Sequence, residues 1–484
     1  PLRSASPFGL GAGENAVMTV ADATPDLEQG DRSDRAFLGH PKGLGYLGFT
    51  EGCERFSYYS MQTLLTLYMV NYLLVPGRME KVVGLNWLQS HVYHGISGQP
   101  LASAIFGTYT ALVYLTPIVG GIIADKWFGR NATLIVGGVL MAIGHFLMAI
   151  EPAFLLALLA LLLGVGAFKG NIATQVGALY GPNDLRRAMA FQIFYIFINV
   201  SVIIGPLISG TLGQKVGWHY GFGCAGVVMV LGLIIYLSGR KYLPAESQLT
   251  RREEKAAREP LTRGDWMCVV YLLILIPVLA ISLLTNQEIF NAYLVWGDQQ
   301  FNRNIFGFTF PSTWLITIDA AVSFSMLVAV AAFWKWWGTR RREPDEVSKM
   351  IIGSVFTVIG GLSLFMAAAT QPAGGKISMF WPMMFELFNS IGFAHVLPIS
   401  LALFSKISPK QITSTVIGLY YLSFFAANAV VGYVGGLYSS LPTTTFWLIH
   451  VASAAFGLVA FAVFKIVVGK RMESTPQDQA AVLG

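Results

Sequence analysis

The chain has 484 residues, of which 54% are apolar and 12% charged, and its mean hydropathy is +0.59. This balance excludes an ordinary water-soluble domain of that size and indicates an integral membrane protein. The formal charge of +6 does not indicate nucleic-acid binding, because the Lys and Arg residues are spread between apolar segments. The three cysteines, Cys53, Cys224 and Cys268, lie inside apolar segments, which argues against a disulfide framework and a metal site.

Apolar windows recur along most of the chain, and each is long enough to cross a hydrocarbon core of about 30 Å as a helix. The sequence therefore predicts an all-α membrane protein with twelve transmembrane helices, called spans 1 to 12 here. Their predicted positions are 44–75, 101–127, 131–150, 153–181, 187–213, 217–238, 266–296, 312–337, 349–369, 379–405, 412–437 and 443–469.

The distribution of Lys and Arg predicts the orientation, since cytoplasmic loops carry the positive excess. With the N-terminus inside, most basic residues fall in cytoplasmic tails, loops and span ends. The loops of the opposite side hold Arg78, Lys81, Lys215, Arg303 and Lys376. Both termini are therefore predicted to be cytoplasmic.

A long charged connection divides the twelve spans into two sets of six. We predict a flexible cytoplasmic tail at 1–43, an N-terminal six-helix bundle at 44–238 and a cytoplasmic linker at 239–265. A C-terminal six-helix bundle at 266–469 and a cytoplasmic tail at 470–484 complete the chain. This is the layout of the major facilitator fold, in which the substrate binds between the halves.

Span 1 carries charged residues where an apolar helix is expected. In "TEGCERFSYY" (50–59), Glu51, Glu54 and Arg55 are three or four residues apart, so they project from one broad helix face, which Tyr58 and Tyr59 continue. A charge at the centre of a membrane helix costs about 2.5–3.5 kcal/mol, so each needs a partner or a cavity.

Lys169, deep in span 4, is the cation expected to balance the second acid on span 1. Water access or a nearby cation changes the proton affinity of a buried carboxylate, so protonation of Glu51 or Glu54 would release Lys169 or Arg55 to bind an anion. The alternative is a permanent salt bridge that holds spans 1 and 4 together.

The motif "EGCERFSYY" (51–59) resembles the span-1 signature Glu-x-x-Glu-Arg-Phe-x-Tyr-Tyr of the proton-coupled oligopeptide transporters, a family of the major facilitator superfamily. Three further stretches of the first half resemble the same family: "YLTPIVGGIIADKWFGR" (114–130), "FKGN" (168–171) and "FYIFIN" (194–199).

The resemblance implies site residues at the matching positions. It assigns proton coupling to Glu51, Glu54, Arg55 and Lys169, and binding of the peptide carboxylate to Arg55 and Lys169. Tyr114 of span 2 and Asn199 of span 5 are implied as substrate contacts, the latter near the peptide amino end. Asp125 and Arg130 resemble the gating pair of the superfamily, with a conformational role.

The second half departs from the family pattern in spans 7, 8 and 10. In span 7, Glu288 stands two residues beyond the usual acid and is assigned proton coupling. In span 8, Asp319 replaces a common Asn and is either an ammonium ligand or a hydrogen-bonded core group. In span 10 the acid of a Glu-x-x-x-Ser pattern is Glu386 with Ser390, although a second alignment puts Phe393 in its register. We favour Glu386.

His395 of span 10 is either a neutral buried histidine, which we favour, or part of a proton relay, and Tyr420 of span 11 is expected to line the cavity.

The sequence thus predicts a bacterial inner-membrane importer that carries di- and tripeptides with protons, and not an enzyme. A peptide would place its carboxylate on Arg55 and Lys169, its ammonium group on Glu386, Asn199 and Asp319, and its side chains among Tyr58, Tyr59, Tyr114 and Tyr420. The proton is the coupling ion, no cofactor, metal or nucleic acid is expected, and the functional unit is expected to be a monomer in the lipid bilayer. The alternatives are transport of nitrate or a peptide-like drug by the same fold, or a receptor that binds peptide without moving it.

Overall fold

The structure is a computed structural model that describes residues 34–181, 184–245, 261–409 and 412–473. The predicted linker and the two predicted tails lie largely outside these ranges. Within them, long helices follow one another with short connections, and the all-α fold predicted from the sequence is confirmed.

The spans are helices whose bounds differ by a few residues from the predicted ones. In chain order they are Lys42–Tyr68, Gly98–Ile123, Arg130–Leu147, Phe154–Ala178, Arg186–Lys215, Trp218–Gly239, Arg263–Ser282, Trp314–Gly338, Glu346–Ala369, Phe380–Ile407, Thr413–Tyr420 with Leu422–Gly436, and Thr443–Glu473.

Shorter elements extend or connect these helices. Wider helical turns continue span 1 over Met69–Leu73 and span 2 over Ala124–Phe128, and short helices cover Met79–Lys81, Leu85–His91, Glu151–Ala153, Arg240–Tyr242 and Leu437–Ser439. A two-stranded antiparallel hairpin, β1 (Asn304–Ile305) and β2 (Phe308–Thr309), lies between spans 7 and 8.

By length and composition, 11 helices of the described ranges are apolar enough to cross a membrane. Span 1 is the helix outside this set, and it is the one that carries Glu51, Glu54 and Arg55. It still packs along spans 5 and 6, and nearly all of its residues are buried inside the protein. Surrounding helices, rather than lipid, therefore cover its polar face.

Span 7 is broken where the sequence predicts one continuous helix. Beyond Ser282 it continues as Leu284–Gln287, a tighter turn at Glu288–Phe290 and a final helix Ala292–Gln300. Asn291 has φ −117° and ψ −111°, outside the helical region, so the helical hydrogen-bond ladder is interrupted at this residue.

The two halves meet closely at the ends of the spans that lie away from both termini. In spans 2 and 11, a Cβ on Gly107 would lie 2.3 Å from the Cα of Gly432, so only glycine permits this approach. Hydrogen bonds join the halves on the same side: Asn71 Nδ2 to Asp298 Oδ2 (3.2 Å), Gln214 Nε2 to Ser312 Oγ (2.7 Å) and Trp314 Nε1 to Thr211 Oγ1 (2.8 Å). This side of the molecule, called the outer side below, is therefore closed.

Candidate functional site

The charged residues of span 1 form one buried cluster. Arg55 Nε donates to Glu51 Oε1 at 2.7 Å and lies 3.2 Å from Glu54 Oε2. The exposed fractions are 1% for Glu51, 0% for Glu54 and 8% for Arg55, so hardly any water screens these charges. Glu51 Oε2 and both oxygens of Glu54 have no hydrogen-bond partner. One guanidinium thus serves two acids and satisfies neither completely.

Lys169 lies near this cluster but forms no ion pair with Glu51 or Glu54. Its Nζ is 5.1 Å from the centroid of the Tyr114 ring, a cation–π arrangement between spans 4 and 2. The permanent salt bridge between spans 1 and 4 is therefore not formed in this structure. The ammonium group keeps its hydrogen-bonding capacity for another anion.

The two tyrosines of span 1 link the cluster to the second half. The rings of Tyr58 and Tyr59 are in edge contact, with centroids 5.2 Å apart. Tyr59 contacts the Phe290 ring of span 7 at 6.2 Å between centroids, and its hydroxyl is within electrostatic range of Arg55 and of Asp319 in span 8. Tyr59 thus lies between the charged groups of the two halves.

An acidic cluster in the second half faces this tyrosine. Tyr293 of span 7 donates its hydroxyl proton to Glu386 Oε1 at 2.6 Å, and Asp319 lies beside Glu386. Glu386 is 0% exposed, and its Oε2 and Asp319 Oδ1 have no hydrogen-bond partner. Ser390 bonds to Ser323 of span 8 at 2.9 Å between the hydroxyl oxygens. This cluster has two acids and no buried cation next to it among the described residues.

Asn199 and Tyr420 are placed with less direct access to these groups. The amide of Asn199 donates to the Tyr195 carbonyl of its own helix at 2.8 Å. The Tyr420 hydroxyl is bonded to Ser400 Oγ at 3.1 Å, within the second half, and the residue is 2% exposed. Its neighbour Tyr421 is 40% exposed and within electrostatic range of Arg55.

Glu288 lies apart from both clusters. It is 0% exposed and its Oε2 is 3.6 Å from His450 Nε2 of span 12. Glu288, which stands two residues beyond the usual acid of span 7, therefore has His450 as its partner and not one of the charged residues of span 1.

The remaining sequence candidates have structural partners. Arg130 Nε donates to Asp125 Oδ1 at 3.1 Å across the turn between spans 2 and 3, at the end opposite the closed side. His395 accepts a hydrogen bond from Trp334 Nε1 at 3.1 Å and its Nδ1 lies 2.8 Å from the Ile391 carbonyl oxygen, which together favour the neutral form.

Three residues were not selected from the sequence: Tyr293, Tyr421 and His450. A tyrosine inside a span is common in helix packing, so neither tyrosine was distinguishable by type. His450 carried a usable signal, because an ionisable residue at membrane depth is a functional candidate by default.

A family model described as Major Facilitator Superfamily matches residues 53–431 of the chain. The peptide transporter YePEPT of Yersinia enterocolitica is 28% identical, with 83% of this chain and 89% of that protein covered. A di-/tripeptide transporter of Lactococcus lactis is 26% identical, with 90% and 97% covered. The uncharacterized transporter YclF of Bacillus subtilis is 28% identical, with 85% and 91% covered.

The chain is also similar to solved structures of peptide transporters. The crystal structure of a peptide transporter POT in complex with sulfate matches with a TM-score of 0.76 and 25% identity, and covers 91% of this chain and 96% of that one. The structure of the POT family transporter PepTSo matches with a TM-score of 0.72 at 18% identity, over 90% and 99% of the two chains. The resemblance to the oligopeptide transporters noted in the sequence is confirmed.

Proposed function

The chain belongs to the Major Facilitator Superfamily, and on that premise we propose that it imports di- and tripeptides together with protons by alternating access. The observation that carries this proposal is the arrangement of charge between the halves. Arg55, which is buried, and Lys169, which is half-buried, supply two cations in the first half, and the buried Glu386 and the half-buried Asp319 supply two acids in the second.

A peptide zwitterion is complementary to this arrangement. Its carboxylate would bind Arg55 and Lys169, and its ammonium group would bind Glu386 and Asp319, with Asn199 as a further acceptor. The oxygens of Asp319 and Glu386 without partners are the groups that an ammonium ion would satisfy. Backbone charges then fix the orientation while Tyr58, Tyr59, Tyr114 and Tyr420 accept varied side chains.

Proton coupling follows from the shared guanidinium on span 1. A proton on Glu51 or Glu54 removes one of the two acids that Arg55 serves, so the guanidinium becomes available to the peptide carboxylate. Lys169 is already outside an ion pair and needs only to leave the Tyr114 ring. The free energy of binding is therefore more favourable when the peptide and the proton bind together than when either binds alone.

The setting of this transport is also proposed. We place the protein in the bacterial inner membrane as a functional monomer, with both termini in the cytoplasm and the closed side facing outward. The six-helix bundles 44–238 and 266–469 would move against each other, and the Asp125–Arg130 pair would change partners during that motion.

The experiment is uptake of labelled dialanine into proteoliposomes under an inward proton gradient. We expect accumulation by the wild type and its loss in Glu51→Gln and in Lys169→Ala, with counterflow retained at saturating dialanine. Glu80→Gln, an exposed acid of an outer loop, is the matched control. Gradient-driven accumulation at wild-type level in both variants rejects the coupling scheme.

The same assay separates the alternatives. Inhibition of dialanine uptake by nitrate or a peptide-like drug would assign the site to that solute. Binding of dialanine without accumulation under any gradient would indicate a receptor.

A further inference from the structure

A second buried pair of ionisable groups lies outside the proposed peptide site. Glu288 of span 7 and His450 of span 12 are both 0% exposed, and 3.6 Å separates Glu288 Oε2 from His450 Nε2. Neither of these two atoms has a hydrogen-bond partner. Since buried polar atoms are normally paired, this pair requires an explanation.

The position of one proton on the imidazole ring is fixed by the backbone. His450 Nδ1 lies 3.0 Å from the Phe446 carbonyl oxygen, which can only accept, so Nδ1 carries a proton. In the neutral ring Nε2 then presents a lone pair toward Glu288. A carboxylate oxygen opposite that lone pair is repelled, so the pair is stable in this geometry only when it holds one additional proton.

The other oxygen of Glu288 is tied to the break in span 7. Glu288 Oε1 accepts hydrogen bonds from Asn291 Nδ2 and from the Ala292 amide, each at 3.0 Å. A Cβ on Gly435 of span 11 would lie 2.0 Å from Asn291 Nδ2 and 2.6 Å from Glu288 Oε1, so this glycine allows span 11 to close over the pair.

Asn291 connects the pair to the first half. Its Oδ1 accepts a hydrogen bond from Ser103 of span 2 at 2.9 Å. Gln99, also of span 2, donates to Ser103 Oγ at 2.8 Å and to the Gly435 carbonyl at 2.9 Å. These bonds belong to the outer contact between the halves. The Glu288–His450 pair is therefore separated from that contact by Asn291 alone.

The groups packed around the pair are uncharged. Span 2 contributes Gln99 and Ser103, span 7 contributes Asn291, and span 11 contributes the Val431 carbonyl and Gly435. Span 12 contributes the rings of Phe446 and Trp447. Among the described contacts of the pair, Glu288 and His450 are the groups that can change charge.

We propose that Glu288 and His450 jointly hold one proton, taken up from the outer aqueous phase, and that this proton is required for the outer ends of the halves to close. His450 acts here as a positioning residue for Glu288. Without the proton, a buried anion faces a lone pair, and the strain is relieved when span 2 separates from spans 7 and 11 and admits water. The proposal rests on the proposed alternating-access function, but its test does not require transport.

The test measures outer closure directly. Spin labels are attached at Ser97→Cys and Ser440→Cys, exposed positions near the outer ends of spans 2 and 11, after replacement of Cys53, Cys224 and Cys268 by Ser. Double electron–electron resonance then gives the distance distribution as a function of pH. In the otherwise wild-type protein we expect the short distance at low pH and a growing long-distance fraction as the pH rises.

Two variants and one control define the outcome. Glu288→Gln, whose amide can donate to His450 Nε2 without titrating, is expected to stay closed at every pH. His450→Phe leaves Glu288 to take its proton alone, and we expect the midpoint of opening to move by about one pH unit or more. His395→Gln replaces another buried histidine of the second half and is expected to titrate as the wild type does.

A distance distribution that does not change with pH in the wild type overturns the proposal. So does a wild-type titration in both Glu288→Gln and His450→Phe. A labelled protein that titrates as expected while the unlabelled wild type fails to accumulate dialanine would instead reject the proposed function and leave the proton-dependent closure standing.

Discussion

The ammonium group of Lys169 lies over the ring of Tyr114, 5.1 Å from its centroid, rather than in an ion pair with Glu51 or Glu54. A cation held by a ring face is retained near the site yet remains available to an incoming anion, since such a contact is worth about 0.5–2 kcal/mol. The Tyr114 contact therefore supports a substrate-binding role for Lys169 over a role in a structural salt bridge.

Replacing Tyr114 tests whether the ring holds Lys169 in place. Tyr114→Phe keeps the ring face and is expected to retain dialanine counterflow. Tyr114→Leu removes the ring face and lets Lys169 pair with the span-1 acids. We expect the apparent affinity in Tyr114→Leu to fall about tenfold, because roughly 1.4 kcal/mol is lost. Equal affinities in the Phe and Leu variants would contradict this role.

Tyr293 is expected to set the affinity for the peptide ammonium group through Glu386. Tyr293→Phe removes the 2.6 Å hydrogen bond and leaves a buried carboxyl without its donor. Because that bond stabilises the ionised form of Glu386 by about 1–3 kcal/mol, its loss favours the neutral acid, which does not attract the ammonium group, and KM for dialanine is expected to rise about tenfold or more. Competition by N-acetylated dialanine, which lacks the ammonium group, should change less.

Tyr180→Phe is the matched control for Tyr293→Phe. It also removes one phenol that pairs with a buried side chain, but this hydroxyl bonds to His40 Nδ1 at 2.9 Å within the first half, outside the proposed peptide site. A KM increase of the same size in both variants would show that the effect is general packing and not recognition of the ammonium group.

The close approach of spans 2 and 11 predicts a conformational effect of a single methyl group. Gly107→Ala places a Cβ 2.3 Å from the Cα of Gly432, so the outer ends must separate. Energy transfer between dyes at these ends should fall relative to the wild type. Gly121→Ala in the same helix, where a Cβ meets nothing within 4 Å, should leave the transfer unchanged; a fall in both would refute the steric explanation.

Asp345 predicts a pH dependence of stability outside the membrane-spanning segments. Partial burial raises the pKa of Asp345. Hydrogen bonds from Lys465 Nζ at 2.8 Å and from Ser348 lower the pKa by more than burial raises it, and the result is a pKa of about 2. Because the folded-state pKa lies below the ordinary value of 3.8, this stabilisation is complete above that value and is lost as the pH falls toward 2.

The measurement is the melting temperature of the wild type and of Asp345→Asn as a function of pH. The variant keeps an N-cap oxygen and loses the charge, so we expect it to melt lower at neutral pH and the difference to shrink below about pH 4. A constant difference down to the lowest accessible pH would mean that the charge of Asp345 is not responsible.

The sequence alone determined the number of spans, the helical membrane fold and the charged face of span 1. These follow from one-dimensional quantities: the length of apolar windows and the helical repeat that places Glu51, Glu54 and Arg55 together. Only the tertiary structure decided which partner each buried group meets. The Lys169–Tyr114 contact, the Tyr293–Glu386 bond and the Glu288–His450 pair all join residues on different spans.

The physical reason is that partner choice depends on helix rotation and on local breaks in helices. Tyr420 and Tyr421 are adjacent in sequence, yet one is 2% exposed and bonded to Ser400 while the other is 40% exposed near Arg55. Likewise Glu288 lies in the tighter turn of the broken span 7 and meets His450 of span 12. Neither rotation nor break is encoded in the hydrophobic pattern, so packing between helices decides them.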